Sequence, residues 1–211
     1  MRSVFLLPAG AALFALCLHA QKATPPKAEG IPPRSAPSDY LSHGPAGRLT
    51  IAAEFTGHSV ATPDATLRTD DYVVVEVGIY GPPGAHATIS AEDFALRING
   101  KKPTPGQPYG LVVGSLKDPE LEPTADEQKS KTKVGTGGQQ DSSPPPPYRV
   151  PDELRHKYSH QLQALTLPEG DRTLPVAGLL YFQYHGKRDK IDSLKLIYSG
   201  AAGKGSLTLQ P

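Results

Sequence analysis

Apolar residues recur at every second position in several short stretches of this chain, and that period limits the fold to half-buried strands. In 49–55, Leu49, Ile51, Ala53 and Phe55 share one face, with Thr50, Ala52 and Glu54 opposite. In 72–80, Val73, Val75, Val77 and Ile79 form one face, and Tyr72, Val74, Glu76 and Tyr80 the other. In 94–98, Phe94, Leu96 and Ile98 alternate with Ala95 and Arg97. Alternation with β-branched and aromatic enrichment predicts antiparallel strands. Asn99-Gly100 then supplies a turn, because both residues tolerate positive φ. Leu111–Val113 reads as a further short strand.

The period changes once. Val150, Leu154, Tyr158, Leu162 and Leu165 fall within an arc of about 120° on a helical projection, the stripe of an amphipathic helix over 150–167. Pro151, Asp152 and Glu153 suit its N-terminus, and Pro168 and Gly170 end it. Strands resume in 176–184, where Leu180, Phe182 and Tyr184 face one way and Leu179 and Tyr181 the other. HGKRDK, 185–190, reads as a polar hairpin leading back into Ile191–Tyr198, and Ser206–Leu209 is a last short strand. The expectation is a mainly β domain: an antiparallel sandwich of about seven strands with one inserted helix.

YVVVEVGIYG, DFALRING (with Phe94, Leu96 and Gly100) and VAGLLYFQY (with Gly178 to Phe182) together resemble secreted bacterial immunoglobulin-like domains, many of unknown function. The resemblance implies an Ig-like sandwich and carries over no functional residue. The chain lacks the paired cysteines and core Trp of antibody-type domains.

The flanking segments suggest where such a domain works. Met1–Ala20 has one charge, Arg2, then an apolar run from Val4 to Leu18 and a small residue, Ala20, as in a secretory signal peptide. That run is shorter than the ~20 residues of a membrane span. Export to the periplasm or the extracellular space is therefore expected, with no membrane insertion after cleavage. Cys17 would suit lipid attachment only with a small residue before it, and Leu16 stands there. Cleavage removes the chain's one Cys and one Met, so the mature domain forms no disulfide and no thiolate metal site.

Two stretches read as unfolded by composition: a proline-rich leader, 21–47, and an insertion, 117–147. The single domain is then 48–211, and without the insertion its core is about 130 residues, a common domain size. Arg2 aside, basic and acidic residues balance at 21 each, which leaves no net field to draw in nucleic acid.

No chemical constellation emerges. His156 and His160 sit one helical turn apart, but Lys157 stands where a zinc hydrolase needs Glu, and both fall opposite the apolar stripe. Gly57-His58-Ser59-Val60-Ala61 approximates a nucleophile elbow without its last glycine or a following helix, so it reads as a loop between strands. Ser130 to Lys133 matches S-x-x-K within the insertion. Asp70-Asp71 and Glu92-Asp93 could hold Ca²⁺ only if they met in space. Pro144 to Pro147 with Tyr148 reads as a stiff spacer or polyproline ligand. No catalytic, cofactor-binding or metal residue is assigned, and no cofactor is expected. The expected role is a non-catalytic binding or structural module of the envelope, with an envelope protein as its partner. The alternatives are an accessory subunit, or a hydrolase assembled from Ser59, a histidine and an acid.

Overall fold

The computed structural model describes residues 28–117 and 151–211. The signal segment, Cys17, the S-x-x-K match, the polyproline run and all of the insertion except Lys117 lie outside these residues.

Eight strands form one antiparallel sheet: β1 (Ser42–Ala46), β2 (Leu49–Gly57), β5 (Tyr72–Tyr80), β11 (Val176–Gln183), β8 (Thr104–Gln107), β7 (Phe94–Ile98), β12 (Leu194–Gly200) and β13 (Gly203–Leu209), in that spatial order. Adjacent strands run in opposite directions throughout, so the first and last also oppose each other and the sheet curls into a nearly closed barrel. At the seam, Ser42 Oγ donates to the Thr208 carbonyl at 2.8 Å. The seam is tight because it is glycine-rich: a Cβ on Gly205 would lie 2.7 Å from the Pro45 carbonyl oxygen.

The alternating faces appear as read. Leu49, Ile51, Ala53 and Phe55 of β2, the odd-numbered positions of β5 from Val73 to Ile79, and Leu180 and Phe182 of β11 all point into the barrel. Phe94, Leu96 and Ile98 of β7 and Leu194, Leu196 and Tyr198 of β12 complete the same core. Phe94 and Tyr198 pack as tilted rings, 5.0 Å between centroids. Each such apolar side chain contributes about 1.5–3 kcal/mol by leaving water. The Asn99-Gly100 turn has positive φ at both residues, 51° and 69°.

The expected two-layer sandwich is corrected to this single curled sheet, because the strands share one continuous ladder instead of dividing into two facing sheets. The expected hairpin at 185–190 is corrected too. β11 and β12 do not pair; β8 and β7 stand between them, so the segment crosses one end of the barrel. Leu111–Val113 is not a strand but belongs to a short helix, α1 (Tyr109–Val113), opened by Pro108. Val112 is its buried residue, while Leu111 stays exposed.

A second apolar cluster lies outside the barrel. β5 and β11 are buried on both faces, because Val74, Leu179 and Tyr181 pack outward under α1 and α2 (Asp152–Leu165). Leu154, Tyr158, Leu162 and Leu165 of α2 supply the predicted stripe. Burial pushes the Tyr181 phenol above its usual range. A three-stranded ribbon of β3 (Ser59–Ala61), β4 (Thr66–Thr69) and β9 (Leu116–Lys117) adds Val60, Leu67 and Leu116 to this cluster. β6 (His86–Ile89) pairs with β10 (Gly170–Thr173) and contributes Ala87 and Ile89 to the barrel core.

Within the segment read as an unfolded leader, the described residues are ordered: 28–41 cover the outer face of β2 and β5, and Ser42–Ala46 form β1. Composition misled here because three residues, Arg34, Tyr40 and Ile31, find specific partners. Glu54 and Glu76 stand directly opposite each other across β2 and β5, an arrangement that repels. Arg34 bridges them, Nη1 to Glu54 Oε2 at 2.8 Å and Nη2 to Glu76 Oε2 at 3.2 Å. Its guanidinium also lies 4.2 Å from the centroid of the Tyr40 ring, which is buried and packs edge-on against Tyr80. Tyr80 Oη donates to the Arg34 carbonyl at 2.8 Å. Ile31 bonds β11 at Ala177, next to Leu167, which bonds the same edge at Leu179.

Candidate functional site

A cleft of about 600 Å³ opens at the barrel end where β5 begins, lined by His58, Ser59, Arg68, Asp70 and 185–189. Three local features build it. The ladder between β2 and β5 shifts register between Phe55 and Gly57, so the chain leaves the barrel and turns into β3 at Ser59. β4 returns alongside and carries Arg68, opposite Ser59. The crossing segment after β11 closes the third side, with a 3-10 turn at Arg188–Lys190.

His58 joins these parts. Its Nδ1 lies 2.8 Å from the Thr69 carbonyl and its Nε2 2.9 Å from the Gly186 carbonyl. The ring stacks on Tyr184 with centroids 6.0 Å apart. Both ring nitrogens therefore face backbone oxygens, and a neutral imidazole can donate to only one of them. His185 Nδ1 lies 3.0 Å from Asp71 Oδ1, and its Nε2 lies 3.1 Å from Gln183 Nε2. Asp70 pairs with Lys117 Nζ at 2.5 Å, and that hydrogen bond holds its carboxyl below the usual carboxylate range.

This geometry does not pair the serine of the dispersed-hydrolase alternative with a histidine. Ser59 opens strand β3 with no helix after it, and its hydroxyl hydrogen-bonds neither histidine among the described residues. His58 is committed to two carbonyls, and His185 to Asp71 and Gln183. A nucleophilic serine needs a base within about 2.6–3.2 Å.

The remaining sequence candidates do not meet one another: Asp70 lines the cleft and Asp71 bonds its His185, but Glu92-Asp93 stays away from both. Asp70-Asp71 and Glu92-Asp93 sit at opposite ends of the barrel, since β5 and β7 run in opposite directions and each pair precedes its strand. His156 and His160 are exposed on α2. Among the described residues no cluster of three or more His, Cys, Asp or Glu is placed to hold a metal ion.

Sequence reading missed the cleft's cations. Arg68, Lys187 and Arg188 arrive from two segments, and none of them is in an ion pair among the described residues. Arg188 lies over the Phe55 ring at the barrel mouth, 5.7 Å from its centroid. The signal was present as HGKRDK, a basic run of Lys187 and Arg188 between two strong strands. No helix among the described residues is long and apolar enough to cross a membrane. Comparisons with protein-family profiles, curated proteins and solved structures find no match to this chain.

Proposed function

We propose that this protein is an exported, non-catalytic binding module of the cell envelope, and that the cleft receives an anionic group of its ligand. The observation that carries this reading is the convergence of Arg68, Lys187 and Arg188 in one cleft, three cations beside only two carboxylates, Asp189 and an Asp70 already bound by Lys117, in a chain with no excess of basic over acidic residues after Arg2. Unpaired cations grouped in a concave site attract carboxylate or phosphate oxygens, and arginine adds a two-pronged donor. The histidines support the walls: His58 ties the ribbon to the crossing segment. The signal-like first segment supports export.

Citrate is a suitable probe, because its three carboxylates match three cations. Titration followed by calorimetry should show saturable binding that Arg68→Ala with Arg188→Ala abolishes while the fold is retained. A fluorophosphonate probe should leave Ser59 unlabelled. Covalent labelling that disappears in Ser59→Ala would overturn the non-catalytic reading. Citrate binding unchanged in the double variant, or absent in the native protein, would overturn the cleft as an anion site.

A further inference from the structure

The barrel wall is covered on some sides and bare on others. The N-terminal segment covers β2 and β5, and α1, α2 and the ribbon cover β5 and β11. β7, β12 and β13 differ. Along β7 and β12 buried residues alternate with more exposed ones, and along β13 Lys204, Ser206 and Thr208 are exposed while Leu207 and Leu209 are buried, so the outward positions of these strands face solvent among the described residues.

The outward positions there are Ala95 and Arg97 on β7, Lys195, Ile197 and Ser199 on β12, and Lys204, Ser206 and Thr208 on β13. Three are cations and none is acidic; nearby carboxylates such as Asp93 and Asp192 belong to connecting segments. Arg97 stands directly opposite Lys195 in the ladder. Like charges in register destabilise a sheet pair. The comparable clash between Glu54 and Glu76 is neutralised by Arg34 within the chain. Arg97, Lys195 and Lys204 have no such partner among the described residues, and they flank a shallow groove of about 440 Å³.

We infer that this bare face of β7, β12 and β13 is a docking surface for an extended acidic segment of a partner protein. Charge complementarity sets the sign, and spacing favours a polypeptide. The cation pair at Lys195, the half-buried Ile197 and the Ser199–Lys204 pair follow one another at two-residue steps along β12. An extended peptide presents same-face side chains at the same step, roughly 6.8 Å. A segment carrying acid, apolar and acid at alternate positions would meet all three. The surface is separate from the cleft, which Arg68, Lys187 and Arg188 line.

The test uses the full chain and a fluorescein-labelled peptide of repeating Glu-Ser-Leu-Ser, read by polarisation at low salt. Heparin and phosphatidylglycerol vesicles serve as polyanions of other classes. The peptide should bind saturably, and Arg97→Glu with Lys195→Glu should weaken it about tenfold, as reversal of two exposed charges implies. Arg97→Gln with Lys195→Gln should give a smaller loss, and Arg68→Ala with Arg188→Ala none. These positions are exposed, and circular dichroism checks that each variant folds. The inference is overturned if the native protein does not bind the peptide. It is equally overturned if the charge-reversed variant binds it unchanged, or if heparin or vesicles bind this face and the peptide does not.

Discussion

Arg34 gives the sharpest test of how the N-terminal segment is held. In Arg34→Ala, Glu54 and Glu76 would face each other in register with no cation between them. The arginine side chain is 32% exposed and the two glutamates 29% and 16%, so each bridge is screened and worth about 0.5–1 kcal/mol. Loss of the Tyr40 cation–π contact adds about 0.5–1 kcal/mol. The exposed like-charge pair adds up to ~1 kcal/mol more. The expected destabilisation is about 1.5–4 kcal/mol by urea unfolding, or roughly 3–16 °C in melting temperature for a domain of this size. Adding Glu76→Gln to Arg34→Ala should recover the repulsive part, ~0.5–1 kcal/mol. If Arg34→Ala costs less than about 0.5 kcal/mol, the bridge is no more than an ordinary surface pair. If the second substitution recovers nothing, repulsion between the glutamates is not what the arginine offsets.

Other outcomes follow from specific contacts. Tyr40, Tyr80, Tyr181 and Tyr198 have phenols raised above their ordinary range, in each case chiefly by burial. The folded state therefore holds protons that the unfolded chain releases near pH 10, so this stability is complete below pH ~10 and falls above it. Stability measured by urea midpoints should fall as pH rises from 10 to 11, with about 1.4 kcal/mol per pH unit as the upper limit for any one tyrosine; Tyr198→Phe should make the fall shallower. Asn99 combines positive φ with three side-chain bonds, donating to the Lys190 carbonyl and accepting from the Asp192 and Ser193 amides. Asn99→Gly should cost about 1–3 kcal/mol for those bonds, and Asn99→Ala about 1 kcal/mol more for the backbone. A Cβ on Gly178 would lie 2.3 Å from Leu167 Cα, so Gly178→Ala should cost about 3 kcal/mol or more by thermal unfolding.

The strands that were legible are those whose neighbours do not matter to their pattern. β5 spans Tyr72–Tyr80, as its alternation predicts, and each inward residue of β2, β7 and β12 faces the side predicted. Period two reports one buried face and needs no knowledge of the partner strand. Strand order is different: it depends on non-local pairing, and nothing in 185–190 reveals that β12 will join β7 instead of β11. The N-terminal segment fails for a related reason. Its prolines describe a chain averaged over many conformations, whereas its order rests on Arg34, Tyr40 and Ile31, whose partners are remote in sequence. The cleft was half visible. His58, Ser59 and Asp70 stood out as motif fragments, but their motifs implied chemistry that the geometry does not support. The cations that give the site its character lay in a stretch read only as a connection.

The same alternation carries information about what covers the sheet. β11 reads as apolar on both faces, with Leu179 and Tyr181 outward and Leu180 and Phe182 inward. A strand of that composition requires a second layer, because leaving Leu179 and Tyr181 in water would forgo several kcal/mol. α2 carries the only long amphipathic stripe in the sequence, so its docking on β11 follows from matching two unsatisfied apolar surfaces. β12 makes the opposite case. Its outward Lys195 and Ser199 exclude an apolar layer, and its neighbour's Arg97 excludes a basic one. β11 thus requires an apolar cover, whereas the outer face of β12 is stable in water and its charges would favour an acidic cover over a basic one.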